Sequence, residues 1–284
     1  MENVKIAVLS GKGGTGKTTL AVNLAVVMGE VGKQVQYLDC DVEEPNGHIF
    51  LKPEITFSEA VAIPVPVVDE DKCTACRKCA QFCEYNAIAL LKKPLVFEEL
   101  CHGCGGCKLV CPSGAISEKD RPIGVVEAGH AGKVSFAQGR LNVGEPMSPP
   151  LIRAVKNKSA GSGVVIFDAP PGTSCPVVAT AKGVDRIILV TEPTPFGLND
   201  LKLAVNLVKQ MRVPFGVVIN RADMGDGSVR DFCANEKLKV LLEIPDDRRV
   251  AEAYSRGVMM TKALREYRKM FELFAHEIVK WSGV

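Results

Sequence analysis

The 284-residue chain lacks the marks of an exported or membrane-embedded protein. Its opening stretch, MENVKIAVLS, has no apolar core of the kind a secretory signal carries. It contains no run of 18 apolar residues, the minimum for a membrane-spanning helix. It also lacks a dominant charge: 35 basic against 33 acidic residues leave +2, so bulk electrostatics favours neither nucleic acid nor an anionic membrane surface as partner. A cytoplasmic protein is the expectation. Hydrophobic residues at 46% and charged residues at 24% are ordinary for a soluble globular chain. The length allows one large domain, or one domain with a small second one. Cysteine is what the chain does not lack. It has eleven, and in a non-exported chain such wealth argues for metal rather than disulfides.

Eight of the cysteines fall within 39 residues, Cys73 to Cys111, as two copies of one pattern. Cys73, Cys76, Cys79 and Cys83 read C-x2-C-x2-C-x3-C, and so do Cys101, Cys104, Cys107 and Cys111. Ala87-Ile88 and Ala115-Ile116 follow at equal offsets, so the unit is an internal repeat of the two-cluster ferredoxin type. A 4Fe–4S cube needs four thiolates in tetrahedral directions. A tight C-x2-C-x2-C loop reaches three irons, and the fourth ligand comes from the other half. This places one cluster on Cys73, Cys76, Cys79 and Cys111, and the second on Cys101, Cys104, Cys107 and Cys83. Zinc is the competing reading, because C-x2-C pairs also build zinc knuckles. The copies differ at one point: Pro112 follows Cys111, whereas Glu84 follows Cys83. The missing proline loosens one turn and adds a negative charge beside the second cluster.

The N-terminal stretch VKIAVLSGKGGTGKTTL is an apolar run, a glycine loop and the start of a helical pattern running from about Lys17 to Gly29. Gly11, Gly16, Lys17 and Thr18 satisfy G-x4-G-K-[ST]. Glycines let the backbone curl around phosphates with its N–H groups pointing inward. Lys17 is expected on the β/γ-phosphates and the Thr18 hydroxyl on Mg²⁺. The helix N-terminus adds a favourable dipole. The whole loop, including Gly13, Gly14, Thr15 and Thr19, is therefore a candidate ATP/ADP site.

Lys12 lies inside the loop. The stretch GKGGTGKTT resembles the deviant phosphate-binding loop of the MinD/ParA/nitrogenase-iron-protein superfamily, and the likeness extends over essentially the whole chain. It implies a doubly wound, mostly parallel α/β sheet and an ATP-dependent homodimer in which Lys12 reaches the partner's nucleotide. Two acidic strand ends belong to the likeness, QVQYLDCDVEEPN with Asp39 and Asp41, and GVVIFDAPPGTSCP with Asp168. Carboxylates at strand C-termini face the ligand in such sheets. The resemblance implies that Asp41 orients the attacking water and Asp168 holds the magnesium shell, with Asp39 structural. It places Asn220, at the end of PFGVVIN, on the adenine, and Pro245, in LLEIPDD, beside the base. DRIILVTEPTPFGLNDLKLAVNLVKQM reads as strand, turn and amphipathic helix, the alternation of a parallel sheet.

On this reading the ferredoxin repeat is an insertion: residues 63–119 form a small α+β domain inside an ATPase made of 1–62 and 120–284. AIPVPVVDEDK is a proline-bearing linker into it, GVVEAGHAGKVSFAQGRLNVG a glycine-turned hairpin after it, and PMSPPLIRAVKN opens a helix behind prolines. Three functions follow: ATP-gated electron transfer to a redox partner; iron–sulfur cluster carriage to an accepting partner; or positioning in the manner of MinD. Carrier relatives usually have a late C-x2-C pair, which is missing after Cys111. Positioning would draw on the tail stripe Tyr267, Met270, Phe271, Phe274, Ile278 and Trp281, which core packing explains equally. Cys40 and Cys233 are expected as core thiols. Cys175, seven residues after Asp168, is either a buried thiol or part of a switch-linked site. His48 and His102 have no partner pattern.

Overall fold

The computed structural model describes residues 3–91, 93–159 and 161–281. Its strands are β1 (Val4–Leu9), β2 (Val35–Asp39), β3 (Glu54–Val68), β4 (Ile88–Leu90), β5 (Pro94–Val96), β6 (Ile116–Ala131), β7 (Val134–Leu141), β8 (Val164–Asp168), β9 (Arg186–Thr191), β10 (Phe215–Asn220) and β11 (Val240–Ile244). Nine form one sheet in the order β11-β10-β9-β1-β8-β2-β7-β6-β3, while β4 and β5 make a separate antiparallel pair. Pairing is parallel from β11 through to β7 and antiparallel at β7-β6-β3.

The central strands carry near-continuous apolar runs because helices cover both faces, as in VKIAVL and VVIFD. Alternation divides each strand between two cores. Ile6 and Val8 join one cluster, Ala7 and Leu9 the other. The helix Lys17–Glu30 is buried almost throughout in the first cluster. Against it lies the last helix, Arg265–Lys280, with Tyr267, Phe271, Phe274 and Ile278 inward and Trp281 buried just beyond. Met270 packs against the same cluster. The tail stripe is therefore spent on the core, and the membrane use of that stripe loses its footing.

Two expectations are corrected. The stretch AIPVPVV is not a linker but the second half of β3, paired to β6 through Val68. Pro64 and Pro66 lie two apart on the sheet's edge strand, so both missing N–H groups fall on the same, outer side and remove no ladder bond. The boundaries at 62/63 and 119/120 thus fall inside β3 and β6. Cys40, expected as a core thiol, is fully buried just after β2. The glycine-turned hairpin appears as β6-β7, and the proline-led helix as Ser148–Lys156.

The two cysteine repeats fold alike between the ends of β3 and β6. Short helices Lys78–Phe82 and Gly106–Leu109 each start after a left-handed residue, Arg77 at φ 64° and Gly105 at φ 71°. Behind them Ala87 N donates to Cys83 Sγ at 3.3 Å, and Ala115 N donates to Cys111 Sγ at the same distance.

Phe271 is fully buried between the last helix and the first. Phe271→Ala should cost about 3–5 kcal/mol of stability through lost burial and the cavity left behind. Urea unfolding followed by circular dichroism measures it, and a loss within 1 kcal/mol would contradict this packing.

Candidate functional site

The sheet presents the C-terminal ends of β1, β2, β8 and β10 to one cavity of about 390 Å³. It brings together Gly13, Gly14, Gly16, Lys17, Thr18 and Thr19 with Asp41, Asn220 and Pro245. Residues far apart in sequence meet because parallel strands all deliver their C-termini to the same side. Gly16 caps the helix in the left-handed region at φ 95°, and a Cβ there would stand 2.6 Å from Asn220 Nδ2. Asn220 Nδ2 donates to the Thr15 carbonyl at 2.9 Å, tying β10 to the loop. Gly11 admits the backbone of Asp200, whose carbonyl oxygen would be 2.3 Å from any Cβ.

Behind the loop is a buried polar group. Asp39 and Asp168 are register partners on β2 and β8, and both are fully buried. Asp39 accepts from the backbone N–H groups of Asp41, Asn46 and Gly47, so it shapes the turn that aims Asp41 at the cavity. That is a structural role, as expected. Tyr37 OH donates to Asp168 Oδ2 at 2.8 Å, while Asp168 Oδ1 is buried without a partner. Burial pushes both aspartates up; Lys17 pulls Asp168 back down. A buried carboxylate oxygen with nothing to bind beside Lys17 and Thr18 is suited to a cation or its water.

Lys12 points elsewhere. Its Nζ pairs with Glu192 Oε1 at 2.5 Å in the same chain, and Glu192 also lies 3.5 Å from Arg221. Sequence reasoning gave no role to Glu192, Tyr37 or Arg221. Tyr37 could have been found as a phenol inside a buried apolar strand, a group that must find a partner. Nothing in the sequence marks Glu192, since its contact with Lys12 spans 180 residues.

A second region is built by the cysteines. Cys73, Cys76, Cys79 and Cys111 ring one cavity, and Cys83, Cys101, Cys104 and Cys107 ring another. Burial pushes Cys107 up to about 11 and raises Cys79 and Cys101. His102 stacks on Tyr85 beside the second cavity, with ring centroids 3.4 Å apart. His48 lies outside the cavities described above. Cys40 and Cys233 are buried, but Cys175 stands exposed at the start of the helix Cys175–Ala181, so it is not a buried thiol.

Residues 6–260 match the family described as the CobQ/CobB/MinD/ParA nucleotide-binding domain. The chain belongs to this family. An uncharacterised protein of Methanocaldococcus jannaschii is 31% identical over 99% of this chain and 98% of its own length. An iron–sulfur cluster carrier protein of Pyrococcus abyssi is 25% identical over 98% of this chain and 88% of its own. Among solved structures, the septum site-determining protein MinD of Pyrococcus horikoshii, complexed with Mg-ADP, superposes with a TM-score of 0.62 at 19% identity, covering 98% and 96% of the two chains. Nucleotide binding is the property that this family's description gives to the matched domain. Among the described residues no helix is long and apolar enough to cross a membrane.

Burial pushes the Asp41 carboxyl up to about 6, against the pull of Lys17. An unfolded aspartate ionises near pH 3.9. Between about pH 4 and pH 6 the folded chain therefore binds more protons than the unfolded one, and stability falls as pH rises. Asp41→Asn should melt above the wild type at pH 7.5, with the gap closing as pH drops from 6 to 4. A gap that does not vary with pH would show that ionisation of Asp41 is not its cause.

Proposed function

We propose that this chain is an ATP-hydrolysing iron–sulfur protein in which nucleotide state governs one-electron transfer through two 4Fe–4S clusters to a partner protein. Cys73, Cys76, Cys79 and Cys111 would hold one cluster, and Cys101, Cys104, Cys107 and Cys83 the other. The observation that carries the reading is the grouping of eight thiols around two cavities, each set crossing from one repeat to the other. A single ion fits less well. Zinc draws its thiolates in on bonds of about 2.3 Å, and among the described residues no three potential ligands come close enough to grip one ion. A cube spreads four thiolates over four irons and accepts one electron at a time.

At the nucleotide site, Lys17 would bind the β/γ-phosphates and Thr18 would ligate Mg²⁺, with Asp168 behind its water shell. Asp41 would orient the attacking water, and Asn220 and Pro245 would border the base. Lys12 would leave Glu192 to reach the partner's phosphates in an ATP-dependent homodimer. A chain of contacts runs from Asp168 toward β6, the strand that follows the cysteine repeats. Residues 169–174, after Asp168, lead into the helix Cys175–Ala181. Lys156 Nζ donates to carbonyls at its end, those of Ala179 at 2.9 Å, Thr180 at 2.5 Å and Lys182 at 2.6 Å. Lys156 ends the helix Ser148–Lys156, which packs on β6 and β7.

Cluster carriage is the second reading. Relatives named as carrier proteins favour it; the missing C-x2-C pair after Cys111 disfavours it.

Anaerobically purified protein should hold about eight irons per chain. Iron near four, or zinc in its place, would remove the two-cluster reading. Asp41→Ala should bind MgATP, hydrolyse it several orders of magnitude more slowly and accumulate as a dimer that Lys12→Ala dissolves. Cluster potentials, titrated by EPR, should differ between nucleotide-free and ATP-trapped protein. A tenfold coupling would appear as about 59 mV. Equal potentials in both states, together with transfer of clusters to an apo-acceptor, would favour carriage instead.

A further inference from the structure

The two cysteine sites have the same ligands but not the same surroundings. Arg121 lies on β6 directly opposite Ile63 of β3, so the two side chains share one face of the ribbon. Ile63 packs under the turn of the second site: its Cβ is 3.2 Å from where a Cβ on Gly103 would stand, and Gly103 N donates to Cys101 Sγ at 3.4 Å. The guanidinium grips Glu145 with both terminal nitrogens, Nη2 to Oε1 at 3.2 Å. The pair is largely withdrawn from water, with the Arg121 side chain 17% and the Glu145 side chain 3% exposed. One donor is left over: Arg121 Nε is buried with no partner. Such a group costs stability unless something else repays it.

Other charges stand beside this site: Glu118, which lines the cavity at 24% exposure, is neutralised by Lys108, and Lys119 pairs with Glu98. At the first site the described cations stand in water. Lys72 pairs with Asp69 at 66% and 41% exposure, and Arg77 is exposed. A half-buried charge acts through a lower effective dielectric than an exposed one and is less screened by salt.

We infer that Arg121, held in place by Glu145, is a positioning residue for the second cluster, whose reduction it favours over that of the first. The inference rests on the cluster reading above, but not on nucleotide coupling. Adding one electron makes a cluster more negative, and a nearby buried cation with a spare N–H stabilises that state. Glu145 fixes the guanidinium and offsets part of its charge. An electron supplied by a one-electron donor would therefore rest on the second cluster, the one against the nucleotide-binding sheet. The first would serve as the point of arrival or departure. Glu84, next to Cys83, opposes this effect, but it is exposed to solvent.

The test is an EPR-monitored redox titration of nucleotide-free, fully loaded protein, with dithionite as reductant. A Cys104→Ser variant identifies the signal of the second cluster. Arg121→Gln should lower the second potential by the equivalent of about a tenfold change in the one-electron equilibrium, about 59 mV, and leave the first unchanged. Arg121→Lys should keep most of the wild-type value. Glu145→Gln should raise it. If Arg121→Gln loses the second cluster, the Arg121→Lys and Glu145→Gln arms decide. The inference is overturned if wild type holds about eight irons yet these substitutions leave the second potential in place or move both potentials together. Wild type with no second cluster would instead overturn the cluster reading, and this inference with it.

Discussion

The antiparallel pairing of β3 with β6 is the constraint on which the two-part design depends. The two strands pair from Glu54–His130 to Val68–Ile116, with shifts of register between Ile55 and Phe57 and between Val61 and Ala62. At one end β6 turns into β7, which is hydrogen-bonded in parallel to β2, the strand that delivers Asp39 and Asp41. At the other end the same ribbon opens into the cysteine repeats. A flexible tether would let the repeats drift relative to the sheet. A long hydrogen-bonded ribbon, irregular at two points, ties them to the sheet. The approach is close: Gly129 meets Glu54 so tightly that a Cβ would be 1.9 Å from its carbonyl oxygen. The prolines of β3 protect the outer edge of the ribbon from pairing with another chain.

Beneath the cavity at the strand ends the governing feature is a pair of buried carboxylates on adjacent strands. Asp39 is saturated by three backbone donors and holds a turn. Asp168 is left with one oxygen free. Two residues of the same type, in register and equally buried, thus have opposite roles because one has its hydrogen bonds supplied and the other does not. The same asymmetry recurs at the cysteine sites. Their cysteine spacing is identical, but among the described residues a buried ion pair stands beside one of them and not the other.

Much of the architecture was legible in the sequence because the signals were local. A glycine loop between an apolar run and a helical pattern, or four cysteines at fixed spacing, constrains its own backbone within a few residues. β1 appears where an apolar run precedes the glycine loop, and β2, β8, β10 and β11 where apolar runs lead to Asp, Asn or Pro. The proline-rich stretch before the cysteines was misread, because proline signals a loop unless the strand is known to be an edge, and edge status is a property of the assembled sheet. The tail stripe could not be assigned from its period, since a helix facing a bilayer and one facing a core share the same spacing.

By itself the sequence determined the glycine loop, the acidic strand ends and the two sets of four cysteines, each specified by residue type and spacing along the chain. Only the tertiary structure decided that Lys12 rests on Glu192, that Tyr37 holds Asp168, that Cys175 is exposed and that Arg121 lies beneath one cysteine site rather than the other. Such contacts join residues separated by tens to hundreds of positions. Their geometry is fixed by strand order and register, which arise from packing the whole sheet rather than from any one segment.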